Sequence, residues 1–357
     1  MPLRLGVLDQ APIAAGSTGA GALRNSIDIA RLADELGYRR YWVAEHHGTP
    51  MLACASPEAL IAPIACATTR IRVGSGGVML PHYSPLKVAE TYSMLSGIFP
   101  ARIDLGVGRA PGSDPLTAFA LQRDRRQASP DDFPQQLEEL LAYLHDALPP
   151  RHQFARLSAL PGRPERPDVW LLGSSPQSGS WAAELGLPYA FADFINPHGA
   201  EIVERYRRDF RTLTISTTAD TEDMEQQTGS NLRAPRVGVG ESRPRVIVAG
   251  WALCADTDEE AERLGASARM AFAMLLGGQP IPVPPVDEAL RFLEEHWAAA
   301  ESLVRRRRWI VGSPPKVRAG LEALAEEYGA DEVMIVTITH DHDARRRSYE
   351  LIARAFT

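Results

Sequence analysis

The chain has 357 residues, 45% of them hydrophobic and 23% charged, which is enough apolar material for a large buried core. Its 38 Lys+Arg against 45 Asp+Glu give a formal net charge of -7. That balance argues against nucleic acid as the main partner, because phosphate tracks need clustered positive charge. The one basic run, Arg305 to Arg308, follows a helical stretch and reads as a solvated helix end.

The start of the chain is apolar only as far as Leu8, too briefly for a secretory leader. The longest apolar run, residues 246–255, is far below the ~20 residues a membrane-spanning helix needs. Cys54, Cys66 and Cys254 are odd in number, far apart and in no CxxC spacing. They read as small buried hydrophobes in a reducing compartment, so a cytoplasmic protein with no membrane association is expected.

In chain order, short β-type runs alternate with longer helical stretches. Residues 3–8 form the first strand, and residues 23–36 carry apolar side chains at helical spacing up to Gly37, a helix stop. Residues 41–43 make the second strand, with Ser56-Pro57 opening the next helix. Residues 71–80 are the third strand, followed by a helix from Ser84-Pro85 to about Leu95. Residues 103–107 are the fourth strand, residues 108–130 a long loop and residues 131–148 a helix. The fifth strand (169–172), its helix (176–185), the sixth strand (188–192) and a helix (200–211) follow. Residues 245–255 are the seventh strand, with helices over 258–276 and 287–304 separated by a proline-rich linker, 277–286. Residues 332–339 are the eighth strand and 343–355 the closing helix. Eight alternations without a doubly wound glycine fingerprint predict one α/β domain, a (β/α)8 TIM barrel over residues 1–357. Its insertions belong at the C-terminal face. The polar segment 212–242, almost without apolar periodicity, is expected to be a flexible insertion or a lid.

Chemistry in such barrels collects where strands end. The second strand runs into Glu45-His46-His47, which suits either proton handling or, together with His340 and His342, a metal site. The His340–Asp343 stretch also fits a polar cap for the last helix. Gly76-Gly77 interrupt the third strand, either as a bulge or because something flat approaches the backbone there. The fifth strand leads into Gly173-Ser174-Ser175-Pro176-Gln177-Ser178, a helix start with hydroxyls and amides suited to a phosphate. Gly106-Val107-Gly108-Arg109 follows the fourth strand. Arg109 there can add a charge-assisted bond to the same anion or form an ordinary ion pair. Together these residues outline a flavin mononucleotide pocket.

The blocks at residues 5–8, 45–47, 72–81, 106–114, 169–181 and 310–314 resemble, in order along nearly the whole chain, the luciferase-like flavin monooxygenase family. The non-luminescent bacterial members are the more similar ones. That resemblance implies a barrel, dimeric in many members, that takes reduced FMN from a separate flavin reductase. With O2 it forms a C4a-peroxy or hydroperoxy flavin that oxidises a small organic substrate. It implies His46 as the catalytic histidine and Glu45 as its pocket-shaping neighbour. Gly76 and Gly77 would be the small pair under the ring, joined in the luciferases by a cis bond. Arg109, Ser175 and Ser178 would be phosphate ligands. Two positions depart from the luciferases: Gly108 replaces a reactive cysteine and Ser174 an acidic residue, so light emission is not implied. A deazaflavin F420-dependent oxidoreductase of the same fold, a metal-dependent barrel hydrolase and a catalytically silent flavin-binding subunit are the competing readings.

Overall fold

The computed structural model describes residues 3–109, 114–122, 132–157, 160, 162, 165–211, 243–304 and 307–357, with backbone alone for 297–304. The polar segment 212–242 and most of the long loop after the fourth strand lie outside the described residues.

The strands are β1 (Arg4–Asp9), β2 (Arg40–Val43), β3 (Arg72–Met79), β4 (Ile103–Gly108), β5 (Asp168–Gly173), β6 (Tyr189–Ala192), β7 (Val246–Cys254), β8 (Trp309–Gly312) and β9 (Glu332–Val336). Between and after them lie α1 (Gly19–Glu35), α2 (Pro57–Ala67), α3 (Pro85–Ile98), α4 (Pro115–Leu121), α5 (Phe133–His145), α6 (Pro176–Glu184), α7 (Ala200–Asp209), α8 (Asp258–Leu276), α9 (Val286–Val304), α10 (Pro314–Tyr328) and α11 (His342–Phe356). Every pairing is parallel. β1 to β6 pair in sequence, β6 pairs β7, β7 pairs β9 and β9 pairs β1. The result is a closed eight-stranded parallel barrel ringed by helices, the expected (β/α)8 architecture.

The eight predicted strands are the eight staves of this ring. Four features differ from expectation. β8 is a ninth strand outside the ring: the first part of β7 pairs β9 through Ile247–Trp251, while its end pairs β8 through Trp251–Cys254. α10 follows it, unassigned from sequence, with Pro314-Pro315 in its first turn and Gly329 in the left-handed region at its end. α4 occupies part of what reads as a long loop, because Asp114 caps it by accepting hydrogen bonds from the amides of Leu116 and Thr117. Strand β9 stops at Val336, short of the expected Thr339.

Two apolar layers hold the ring. A larger cluster fills the space between strands and helices, with Val7, Tyr41, Val43, Ile335 and Ile352 among its buried members. A smaller one fills the ring's interior, built on Leu8, Trp42, Trp170, Trp251 and Met334. At the end of the barrel where the strands begin, the interior is charged. Arg40 is buried and bonds Asp104 at 2.6 Å and Glu332 at 2.9 Å, and Arg72 bonds Asp104 at 2.6 Å. The indole of Trp42 donates to Asp104 at 2.8 Å, and the Arg40 guanidinium lies over Trp170. Burial works to raise the Asp104 pKa, but Arg40 and Arg72 override it and hold the carboxyl below its usual range. This layer plugs one end and leaves the other for a site.

Candidate active site

At the mouth where the strands end, a cavity of about 470 Å3 opens, within the roughly 300–1,000 Å3 common for cofactor and ligand sites. Glu45, His46, Gly76, Gly77, Gly108, Arg109, Ser174, Ser175 and Ser178 all line it. Residues more than 130 positions apart in sequence are thus brought to one wall by strands β2 to β5 and the start of α6.

Glu45 is fully used. Its Oε1 accepts from Tyr83 at 2.8 Å and faces His47 Nε2 at 2.7 Å, while Oε2 accepts from the Met79 amide at 3.0 Å. The carboxylate therefore ties the ends of β2 and β3 together at the cavity wall. His46 is held from behind, its amide donating to the Cys54 carbonyl at 2.9 Å. Its ring is partly open to the cavity, but Nδ1 is buried and makes no hydrogen bond. Burial, with His47 next to it, pushes the imidazole pKa down to about 4. His46 is neutral throughout the physiological range, more firmly than an unperturbed value near 6.5 would make it.

The Gly76–Gly77 peptide is cis. A register shift in the β3–β4 ladder between Ser75 and Val78 frees this stretch from regular pairing, so it is a bulge as well as a cavity floor. A Cβ on Gly77 would lie 2.6 Å from the Gly106 carbonyl oxygen, and one on Gly76 would lie 2.4 Å from Leu8 Cδ1. Gly108 differs, since a Cβ there meets nothing nearer than 3.9 Å and would project into open space.

Ser175 is the N-cap of α6 and forms a capping box with Ser178. The Ser178 hydroxyl is buried, donating to the Ser175 carbonyl at 2.8 Å and bonding Tyr189 at 2.8 Å. It acts here as the brace of the helix start rather than as an exposed ligand group. Arg109 reaches the same helix, bonding Gln177 at 3.3 Å and lying over the Trp181 ring.

Other residues read from sequence go elsewhere. His342 bonds Asp28 at 2.8 Å and His340 the Ala15 carbonyl at 3.2 Å, neither lining the cavity. Asp341 caps α11, as the polar-cap reading has it. Among the described residues no group of three or more His, Cys, Asp or Glu is arranged to hold a metal. Cys66 is exposed on α2, against the expectation that all three cysteines are buried. Arg307 and Arg308 are not a solvated helix end either. Arg307 donates to the carbonyls of Phe194 and Ile195, and Arg308 bonds Glu327 at 2.7 Å and the Pro197 carbonyl at 3.4 Å. Both hold the segment after β6, whose Phe194 and Ile195 also line the cavity.

A parallel barrel with a glycine-floored cavity at its C-terminal mouth defines an enzyme-type ligand site of the TIM-barrel class. The luciferase-like monooxygenase family matches residues 3–332, and the chain belongs to it. The protein YwcH of Bacillus subtilis (strain 168) is 43% identical over 356 residues, covering 99% of this chain and 98% of its own. The N-acetyl-S-alkylcysteine monooxygenase of the same organism is 34% identical, covering 99% and 98%. The crystal structure of apo-MsnO8 is 40% identical and superposes with a TM-score of 0.82 over 99% and 98% of the two chains. The fold alone is shared with an FMN-bound Baeyer–Villiger monooxygenase (TM-score 0.67, 19% identity) and an F420-dependent alcohol dehydrogenase (TM-score 0.66, 12% identity).

Proposed function

We propose that this protein is a two-component monooxygenase that takes reduced FMN from a separate reductase and, with O2, oxidises a small organic substrate. The observation that carries the reading is the convergence on one cavity of a neutral histidine, a glycine floor and an anion-suited helix start. An FMN-bound neighbour of the same fold supports the choice of cofactor. Cytoplasmic location and a homodimer accompany the proposal, as the family resemblance implies.

The residues fit the group. Arg109, Ser174 and Ser175 would take the phosphate at the start of α6, where backbone amides and the helix dipole favour an anion. Gly76 and Gly77 leave the floor without side chains, so a flat ring can lie against backbone. Gly108 leaves room at the wall. Reduced FMN when bound supplies the electrons that activate O2. The chain's own part is to exclude water and ration protons. The walls from Leu8, Trp42, Leu172, Ile247 and Met334 are apolar, and His46 is the titratable ring in contact with the cavity that can pass a proton without carrying a charge at rest.

Anaerobic titration with reduced FMN, followed by mixing with O2, tests the reading. We expect tight binding of reduced FMN and slower flavin reoxidation than in free solution. Weak binding of reduced FMN with tight binding of reduced F420 would overturn it in favour of hydride transfer on the same fold, the reading supported by the F420-dependent neighbour.

A further inference from the structure

Strand β1 alternates cleanly between the two apolar layers. Leu8 points into the ring's interior, and Asp9 points outward, bonding Arg345 of α11 and Tyr41. Gln10 returns to the interior and lines the cavity. It is only 7% exposed, yet its amide makes no hydrogen bond to any described residue. Two donors and an acceptor therefore face a space bounded by protein. Its amide atoms open onto the cavity, so their hydrogen bonds come from whatever occupies that space, solvent or the polar group of a ligand.

Its place in the ring separates it from the anion-suited rim. β1 and β5 are four strands apart in either direction around the closed barrel. On the side through β6, β7 and β9, the cavity wall between them is apolar, formed by Ala192, Ile247, Ala249 and Met334. Among the described residues no charged side chain lines that side, and an ion there would be desolvated without a counter-charge from them. We infer that Gln10 is the hydrogen-bonding anchor of a substrate subsite, taking a molecule that is apolar over most of its length and carries one uncharged hydrogen-bonding group. The word substrate rests on the proposed function, whereas the ligand contact at Gln10 does not.

The test uses the FMN-loaded full chain, wild type and Gln10→Leu, with Gln10→Met as a second variant of similar length. Isothermal titration compares 3-phenylpropanamide with isopentylbenzene, its hydrocarbon isostere, and with 3-phenylpropanoate. The amide is expected to bind wild type and to lose about tenfold in affinity in both variants, the scale of one hydrogen bond to a buried partner. The hydrocarbon should bind both variants at least as well as wild type, and the carboxylate should bind none of them. FMN affinity should not change. Equal amide affinity in wild type and variants, or no amide binding to wild type, overturns the inference. A parallel loss of FMN affinity overturns it by assigning Gln10 to the flavin. Failure of wild type to take up FMN counts against the proposed function instead, and is read in the same titration.

Discussion

Protonating His46 would put a charge in a buried position beside apolar walls, and this has a consequence for stability as well as chemistry. In the unfolded chain the imidazole binds its proton near pH 6.5, but in the fold only near pH 4. Between those values the unfolded state holds more protons. The stability this group contributes is present above pH 6.5 and is lost as pH falls toward 4. The loss is about 3 kcal/mol, so melting scans should fall more steeply over that window in wild type than in His46→Gln. In catalysis, His46→Ala should bind reduced FMN within about twofold of wild type, since His46 is not among the residues that would take the phosphate. Product formed per reduced flavin should fall and hydrogen peroxide rise. Unchanged coupling would remove His46 from the mechanism. Arg109→Ala should weaken FMN binding by about tenfold or more, read by flavin fluorescence, because a charge-assisted bond is lost.

Among the elements, β3 and β4 set the narrowest tolerance. Gly77→Ala would drive a methyl to 2.6 Å from a backbone oxygen that cannot swing aside, whereas Gly108→Ala adds one into open space. The first should lower stability by about 1–3 kcal/mol in denaturant titration. The second should leave it unchanged while reducing FMN affinity. The same elements show what could be read in advance. Parallel strands buried on both faces appear as continuous apolar runs, so all eight staves were legible, and the residues just past them fell at the cavity. β8 was not, because four residues behind a run of arginines carry no period and its partner, the end of β7, is nearly sixty positions away. The roles of Arg307 and Arg308 are hidden for a related reason: their acceptors include backbone carbonyls at 194, 195 and 197, which composition cannot reveal. Gln10 does carry a legible signal, a polar residue on the inward phase one step past a strand.

For the molecule as a whole, the charged layer at the closed end stabilises by mutual pairing rather than by exposure to water. Asp104→Ala takes one carboxylate from Arg40, which keeps Glu332, and from Arg72, which keeps Asp168, and should cost about 3–5 kcal/mol in chemical denaturation. A double change that removes Arg40 as well should cost less than the two single changes added together. Arg40 is also tied to Glu332, 292 positions further along the chain. During synthesis at about 5–20 residues per second, β1 to β7 emerge long before β9 does. Until then the sheet is an open ribbon with β1 bare on one edge, and the buried guanidinium lacks half of its counter-charge. The arrival of Glu332 and its strand is the step that closes the ring and completes the counter-charge of Arg40.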